Sequence, residues 1–208
     1  MMITINSILD AEQYFSDMEA VVFDLDDTLY SEKGYVACGF RAVAELFPEV
    51  PGIFERLMEI YRGDRPAIDV VLAEHGLLAR KDEAVAAYRS NIPVLELYPG
   101  VRDMLLRVKG SKKLGLITDG RPVAQRGKIK ALDLEPLFDE IIVTDEFGGP
   151  EFRKPNPLAY SEMAARLRVP YEKMSYTGDN ITKDFITPEK LGMRSIWFKN
   201  TDGLYYKD

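Results

Sequence analysis

Apolar runs that alternate with stretches of helical periodicity constrain this chain more than any other feature of its sequence. They lie at Ala20 to Leu25, Lys113 to Thr118, Glu140 to Thr144, Met174 to Gly178 and Arg194 to Phe198. Each is short and carries β-branched or aromatic residues, as strands covered on both faces do. Between them, Val101, Met104, Leu105 and Val108 recur at i, i+3, i+4 and i+7 and predict a helix. Pro122 opens another that runs to about Ala131, and Asn156-Pro157 caps one that reaches about Leu167. A last helix stops at Leu191-Gly192, where glycine suits the exit turn. An earlier short helix is expected after Asn6 or Ser7, with Ile8, Ala11, Phe15 and Met18 on one side. This alternation predicts an α/β fold: a Rossmann-like parallel sheet with helices on both faces. In such sheets ligands bind at the carboxyl ends of the strands.

Residues from about Lys33 to Ser90 break the rhythm. They hold helical patterns such as Val36, Phe40, Val43 and Phe47, or Ile68, Val71, Leu72 and His75, with Pro48, Pro51, Gly63, Pro66 and Gly76 between them. The expected organisation is therefore a core of residues 1–32 and 98–208, with a helical cap of residues 33–97 inserted after the first strand. A length of 208 residues suits one core with such an insertion. The chain has 27 Lys and Arg against 34 Asp and Glu, a formal charge of −7. That balance argues against a nucleic-acid partner and requires any phosphate site to be built locally. The single cysteine, Cys38, excludes an internal disulfide, suits a reducing cytoplasm, and reads as a small buried apolar residue. Asp10, Glu12 and Asp17 interrupt the N-terminal stretch, which does not read as a signal peptide. No run approaches the roughly 20 apolar residues of a membrane span, so no membrane partner is expected. The oligomeric state is left open.

The polar residues that close the strands carry the chemistry. The first strand ends in Asp24-Leu25-Asp26-Asp27-Thr28, the second in Thr118-Asp119-Gly120, and the fourth in Gly178-Asp179-Asn180, with Asp184 shortly after. Lys154 precedes the helix that leads into that fourth strand. A carboxylate can attack phosphorus and divide one difficult displacement into two easier ones, which makes Asp24 the candidate nucleophile. Asp26, two residues on, points the same way if the backbone stays extended, and is placed to protonate a leaving alkoxide and later to deprotonate water. Carboxylates crowded beside a phosphate repel one another. A hard cation with oxygen ligands resolves this, and Mg²⁺ fits, held by Asp24, Asp179 and the Asp26 carbonyl with Asp184 in support. Thr118 and the amides of Asp119 and Gly120 are candidates to hold phosphate oxygens, and Lys154 to neutralise charge as the phosphoryl group moves.

These residues resemble the four motifs of the haloacid dehalogenase superfamily: Asp24-x-Asp26-x-Thr28, the strand-end Thr118, Lys154-Pro155, and Gly178-Asp179-x4-Asp184. Order and placement on strands are similar over about Val21 to Phe198. Tyr98-Pro99-Gly100-Val101 resembles that family's return from cap to core, and the insertion resembles its C1-type cap. The resemblance implies Mg²⁺, an aspartyl-phosphate intermediate, and the roles given above. Asp119 departs from the asparagine often found there, and Arg121 beside it is placed to compensate. His75, the only histidine, reads as packing or as a helix-end contact, and Arg62 and Arg65 flank a cap loop and read as ordinary surface arginines.

The expected activity is hydrolysis of a small phosphomonoester, a sugar phosphate or a nucleoside monophosphate, with a cap of this size limiting access. Three alternatives stand beside it. A dehalogenase needs no acid at Asp26. A phosphomutase needs cap groups to grip its intermediate. A non-catalytic binding module would be marked by lost motif residues, and none is lost.

Overall fold

The structure is a computed structural model that describes residues 2–62, 66–204 and 206. Arg65 and the side chain of Arg62 lie outside the described residues. The chain divides into two compact units, Met1–Glu32 with Leu95–Asp208 and Lys33–Val94.

The first unit contains one parallel sheet. Its strands are β1 (Ile3–Ile5), β2 (Ala20–Phe23), β3 (Lys113–Thr118), β4 (Glu140–Val143), β5 (Met174–Gly178) and β6 (Arg194–Phe198), in the order β1-β6-β5-β2-β3-β4. Strand β2 pairs with β3 on one side and β5 on the other, and Val21, Val22 and Phe23 have no exposed surface. That burial is why these strands read as unbroken apolar runs. The chain leaves β2 toward β3 and β4, then returns to the other side of β2 for β5 and β6. The direction of winding therefore reverses between β2 and β5, the crevice in which open α/β sheets place ligands. Strand β1 has no counterpart in the sequence reading, because three residues at a sheet edge give no usable period. The short helix expected after Ser7 is a 3-10 helix over Ile8–Tyr14, with the Ser7 hydroxyl accepting from the Leu9 N–H at 3.3 Å.

The second unit is helical: α1 (Glu32–Glu45), α2 (Ile53–Arg62), α3 (Ala67–Glu74) and α4 (Lys81–Ser90). Val36, Phe40, Val43, Phe47, Leu57 and Leu72 form its core. Gly39 lets α1 meet α4 closely, since a Cβ there would lie 2.5 Å from the Tyr88 ring. His75 is exposed rather than on an apolar face, because α3 ends at Glu74 and His75 has already left helical geometry. Cys38 is half-buried, with Sγ 3.6 Å from the Val94 carbonyl oxygen.

The first unit is completed by α5 (Val101–Lys109), α6 (Pro122–Ala131), α7 (Leu158–Leu167) and α8 (Ile186–Leu191). Ile117, Tyr160, Met163 and Tyr176 lie in its core. The segment after β6 folds back onto the loop that follows β2. The Asn200 amide donates to the Asp27 carbonyl at 2.7 Å, and the Leu204 N–H donates to the Asp27 carboxylate at 2.8 Å. Among the described residues, no helix is long and apolar enough to cross a membrane.

Candidate active site

Asp24 follows the last residue of β2, and its N–H still donates to the Thr177 carbonyl of β5 at 2.9 Å. Its carboxyl therefore emerges at the crevice between those strands. Strand β5 delivers Asp179 to the same edge. Asn180 builds the next turn: its Oδ1 accepts from the N–H and hydroxyl of Thr182 at 3.0 and 2.6 Å, and its carbonyl accepts from the Asp184 N–H at 3.0 Å. The turn brings Asp184 back, and its Oδ2 accepts from the Asn180 N–H at 3.0 Å. Gly178 makes room, since a Cβ there would lie 2.4 Å from Asp184 Oδ2. Asp24, Asp179 and Asp184, all buried, each offer a carboxylate oxygen within 4.8 Å of the others. Asp184 thus stands beside the other two carboxylates.

Lys154, joined to Pro155 by a cis peptide, sends its ammonium under this group. Nζ lies 2.6 Å from Asp24 Oδ1, 2.9 Å from Asp184 Oδ1 and 2.9 Å from the Tyr176 hydroxyl, and the side chain has no exposed surface. One enclosed ammonium does not balance the acids. Burial pushes Asp24 up to about 7, with Lys154 pulling it back and Asp184 adding to the rise. Burial, and then the charge of Asp24, pushes Asp179 up to about 9. Among the described residues nothing donates to the Asp179 carboxylate, although its backbone oxygen accepts from Trp197 Nε1 at 2.9 Å. A buried trio of carboxylates with one member unpaired fits a hard divalent cation with oxygen ligands.

Asp26 belongs to a second cluster. Its Oδ1 accepts from Lys128 Nζ at 2.7 Å and from the Tyr30 hydroxyl, and its Oδ2 accepts from Gln125 Nε2 at 2.8 Å. Gln125 also donates to the hydroxyl of Thr118, which is fully buried. Burial would raise Asp26, but the charge and hydrogen bond of Lys128, with those of Tyr30 and Gln125, outweigh it and hold the carboxyl below its ordinary value. Lys128 also lies 3.7 Å from Glu32, which burial and the charge of Asp26 push up to about 8.

Asp119 is anchored on both oxygens. Oδ1 accepts from the Lys154 N–H and the Thr144 hydroxyl, each at 3.0 Å, and Oδ2 lies 2.8 Å from Lys183 Nζ. Gly120 follows with φ +136°, where a Cβ would also crowd Gln125 at 3.2 Å. A cavity of about 140 Å³ opens between Asp24, Asp26, Glu32, Asp119, Arg153, Asp179 and Lys183. Lys154, Thr118 and Gly120 do not line it, nor does Arg121, which is exposed. Lys128, Lys183, Glu32, Tyr30 and Tyr176 were not singled out from the sequence. Gln125 and Lys128 did carry a signal: they share the buried face of α6 with Ile129, and polar residues on an apolar stripe need a partner.

A family model of haloacid dehalogenase-like hydrolases matches residues 18–192. The chain belongs to that family of enzymes. It is similar to glyceraldehyde 3-phosphate phosphatases from Pyrococcus abyssi (27% identical, covering 88% of this chain and 82% of the relative) and Methanopyrus kandleri (30% identical, covering 86% and 83%). Among solved structures, the fold is similar to the magnesium-bound HAD-hydrolase YfnB from Bacillus subtilis, with a TM-score of 0.65, 18% identity and coverage of 88% and 87%.

Proposed function

We propose that this chain is a Mg²⁺-dependent phosphatase that hydrolyses a small phosphomonoester through an aspartyl-phosphate on Asp24. The observation that carries the proposal is the convergence of Asp24, Asp179 and Asp184 within 4.8 Å beside a polar cavity. Those three carboxylates, with the Asp26 carbonyl, would hold the ion. Bound there, Mg²⁺ would neutralise the trio and withdraw charge from a phosphoryl oxygen. Asp24 attacks phosphorus, and the ester oxygen leaves with a proton from Asp26. Asp26 then takes a proton from the water that splits the aspartyl-phosphate. In the free site Lys128 holds Asp26 ionised, ready for that second task, and an entering phosphate dianion favours its protonation for the first. Lys154 keeps Asp24 and Asp184 from repelling each other and fixes the nucleophile's orientation.

Substrates named in the relatives favour a short phosphorylated carbohydrate over a nucleoside monophosphate. Dehalogenation is disfavoured because it needs no acid at Asp26, whereas Lys128, Tyr30 and Gln125 all hold one there. The test is phosphate release from glyceraldehyde 3-phosphate, a panel of sugar phosphates and nucleoside monophosphates, with Mg²⁺ and with chelator. Turnover should need Mg²⁺ and fall on the order of 10³-fold or more in Asp24→Asn, which keeps the fold. Full activity in chelator, or substantial activity in Asp24→Asn, would refute the assignment.

A further inference from the structure

We infer that Lys183 is a phosphate-binding residue, the ammonium that meets a phosphoryl oxygen in the cavity, and that Asp119 is the residue positioning it. The inference rests on the phosphatase reading and adds to it the cation that receives the substrate's anionic group.

The charges around the cavity lead to this choice. Its lining carries the acids Asp24, Asp26, Glu32, Asp119 and Asp179, so a phosphate dianion needs local positive charge to enter. Among the described residues, four cationic side chains lie near. Lys154 has no exposed surface and is enclosed by Asp24, Asp184 and Tyr176. Lys128 is 4% exposed and sits between Asp26 and Glu32. Arg153 does line the cavity, but both its Nε and NH2 bond the Asp145 carboxylate, at 2.7 and 2.6 Å. Lys183 lines the cavity with 27% of its side chain exposed.

The backbone holds Lys183 in place. It lies in the turn organised by Asn180, whose carbonyl accepts from the Lys183 N–H at 3.2 Å, and it directly precedes Asp184. Asp119 fixes the other end of the side chain at 2.8 Å, and is itself 8% exposed and held by the Lys154 N–H and the Thr144 hydroxyl. An ammonium carries three donors, so one group can engage a carboxylate and a phosphoryl oxygen together. This gives the acid at position 119 a use that asparagine would not serve: it adds charge to the hydrogen bond that orients the lysine.

The test is direct binding of inorganic phosphate to the Mg²⁺-loaded full chain by calorimetry, in wild type, Lys183→Met and Lys183→Arg, with Mg²⁺ affinity titrated separately in each. Loss of a charge-assisted contact predicts phosphate binding weaker by about tenfold to a hundredfold in Lys183→Met. Lys183→Arg should recover most of it. Mg²⁺ affinity should stay level or rise in Lys183→Met, since a nearby cation has gone. Phosphate affinity of Lys183→Met within about threefold of wild type, no phosphate binding by wild type, or a parallel loss of Mg²⁺ binding would each overturn the inference. Absence of phosphate release from every ester tested, with Lys183-dependent phosphate binding intact, would sink the phosphatase reading alone.

Discussion

Gly178→Ala tests how closely the acidic trio is built. A Cβ on residue 178 would lie 2.4 Å from Asp184 Oδ2, 3.0 Å from its Cγ and 3.3 Å from its Cβ. Ordinary contact needs roughly 3.5 Å, so the carboxylate would have to retreat by about 1 Å. The backbone cannot easily take up the shift, because Gly178 is paired in register with Trp197. The retreating carboxylate would lose its bond from the Asn180 N–H at 3.0 Å and its contact with Lys154 Nζ at 2.9 Å. Hydrogen bonds to charged groups contribute about 1.5–3 kcal/mol each, and partial relaxation should leave a net cost of about 2 kcal/mol. Displacing a group that holds a metal typically weakens binding by about tenfold to a hundredfold. Mg²⁺ titration by calorimetry and thermal melts with and without Mg²⁺ would measure both. Gly127→Ala is the matched control: nothing lies within 4 Å of its added Cβ in α6, and the change should stabilise by about 0.5–1 kcal/mol. Were Gly178→Ala to melt like wild type and bind Mg²⁺ within about threefold of it, Asp184 would not be confined as described.

Two further outcomes follow from the same geometry. Lys128→Met removes the buried cation from Asp26 and should lower kcat by about 10²-fold or more for alkyl phosphates, with a much smaller loss for an activated aryl phosphate whose leaving group needs no proton; equal losses on both substrates would contradict the acid–base role. In the metal-free protein, Asp24, Glu32 and Asp179 titrate near 7, 8 and 9, above their unfolded values. The stability these protons provide is fully present only below the unfolded carboxylate values near about pH 4, and is lost progressively as pH rises from there through the folded values. The melting temperature in chelator should therefore fall between about pH 4 and pH 9, most steeply below about pH 7 where all three groups contribute, and Mg²⁺ should offset the fall; a flat or rising curve in chelator would argue against the buried trio.

Asp24 and Asp179 were legible because strand ends are legible: an apolar run followed by a carboxylate fixes both where the residue sits and that it faces the sheet's edge, whereas Asp184 was legible only by its spacing from Asp179, since the Asn180 turn is what brings it back. The partners of Asp26 were not, since they depend on how α6 packs beside the sheet. Lys128 reads as an ordinary helical lysine until the helix is docked with Gln125 and Lys128 inward. Lys154 was legible by position, but not its enclosure, which follows from Tyr176 and Asp184 closing around it. Lys183 carries no distinguishing pattern beside Asp184. Strand β1 and the exposure of His75 were missed for local reasons, one being too short for a period and the other lying one residue past a helix end.

The stitching of Asn200 and Leu204 onto Asp27 bears on how the protein is made. Asp24, the proposed nucleophile, leaves the ribosome before either neighbour of its strand has been synthesised. Its counter-ion, the other acids of its cluster and the residues that fasten its loop all arrive later. A nascent chain released shortly before Asn200 would carry every proposed reacting group yet lack the clasp on the loop next to Asp24. Competence for catalysis should thus wait for residues 200–204, and peptides inserted close after Leu204 would act on the reactive loop more than their distance along the chain implies.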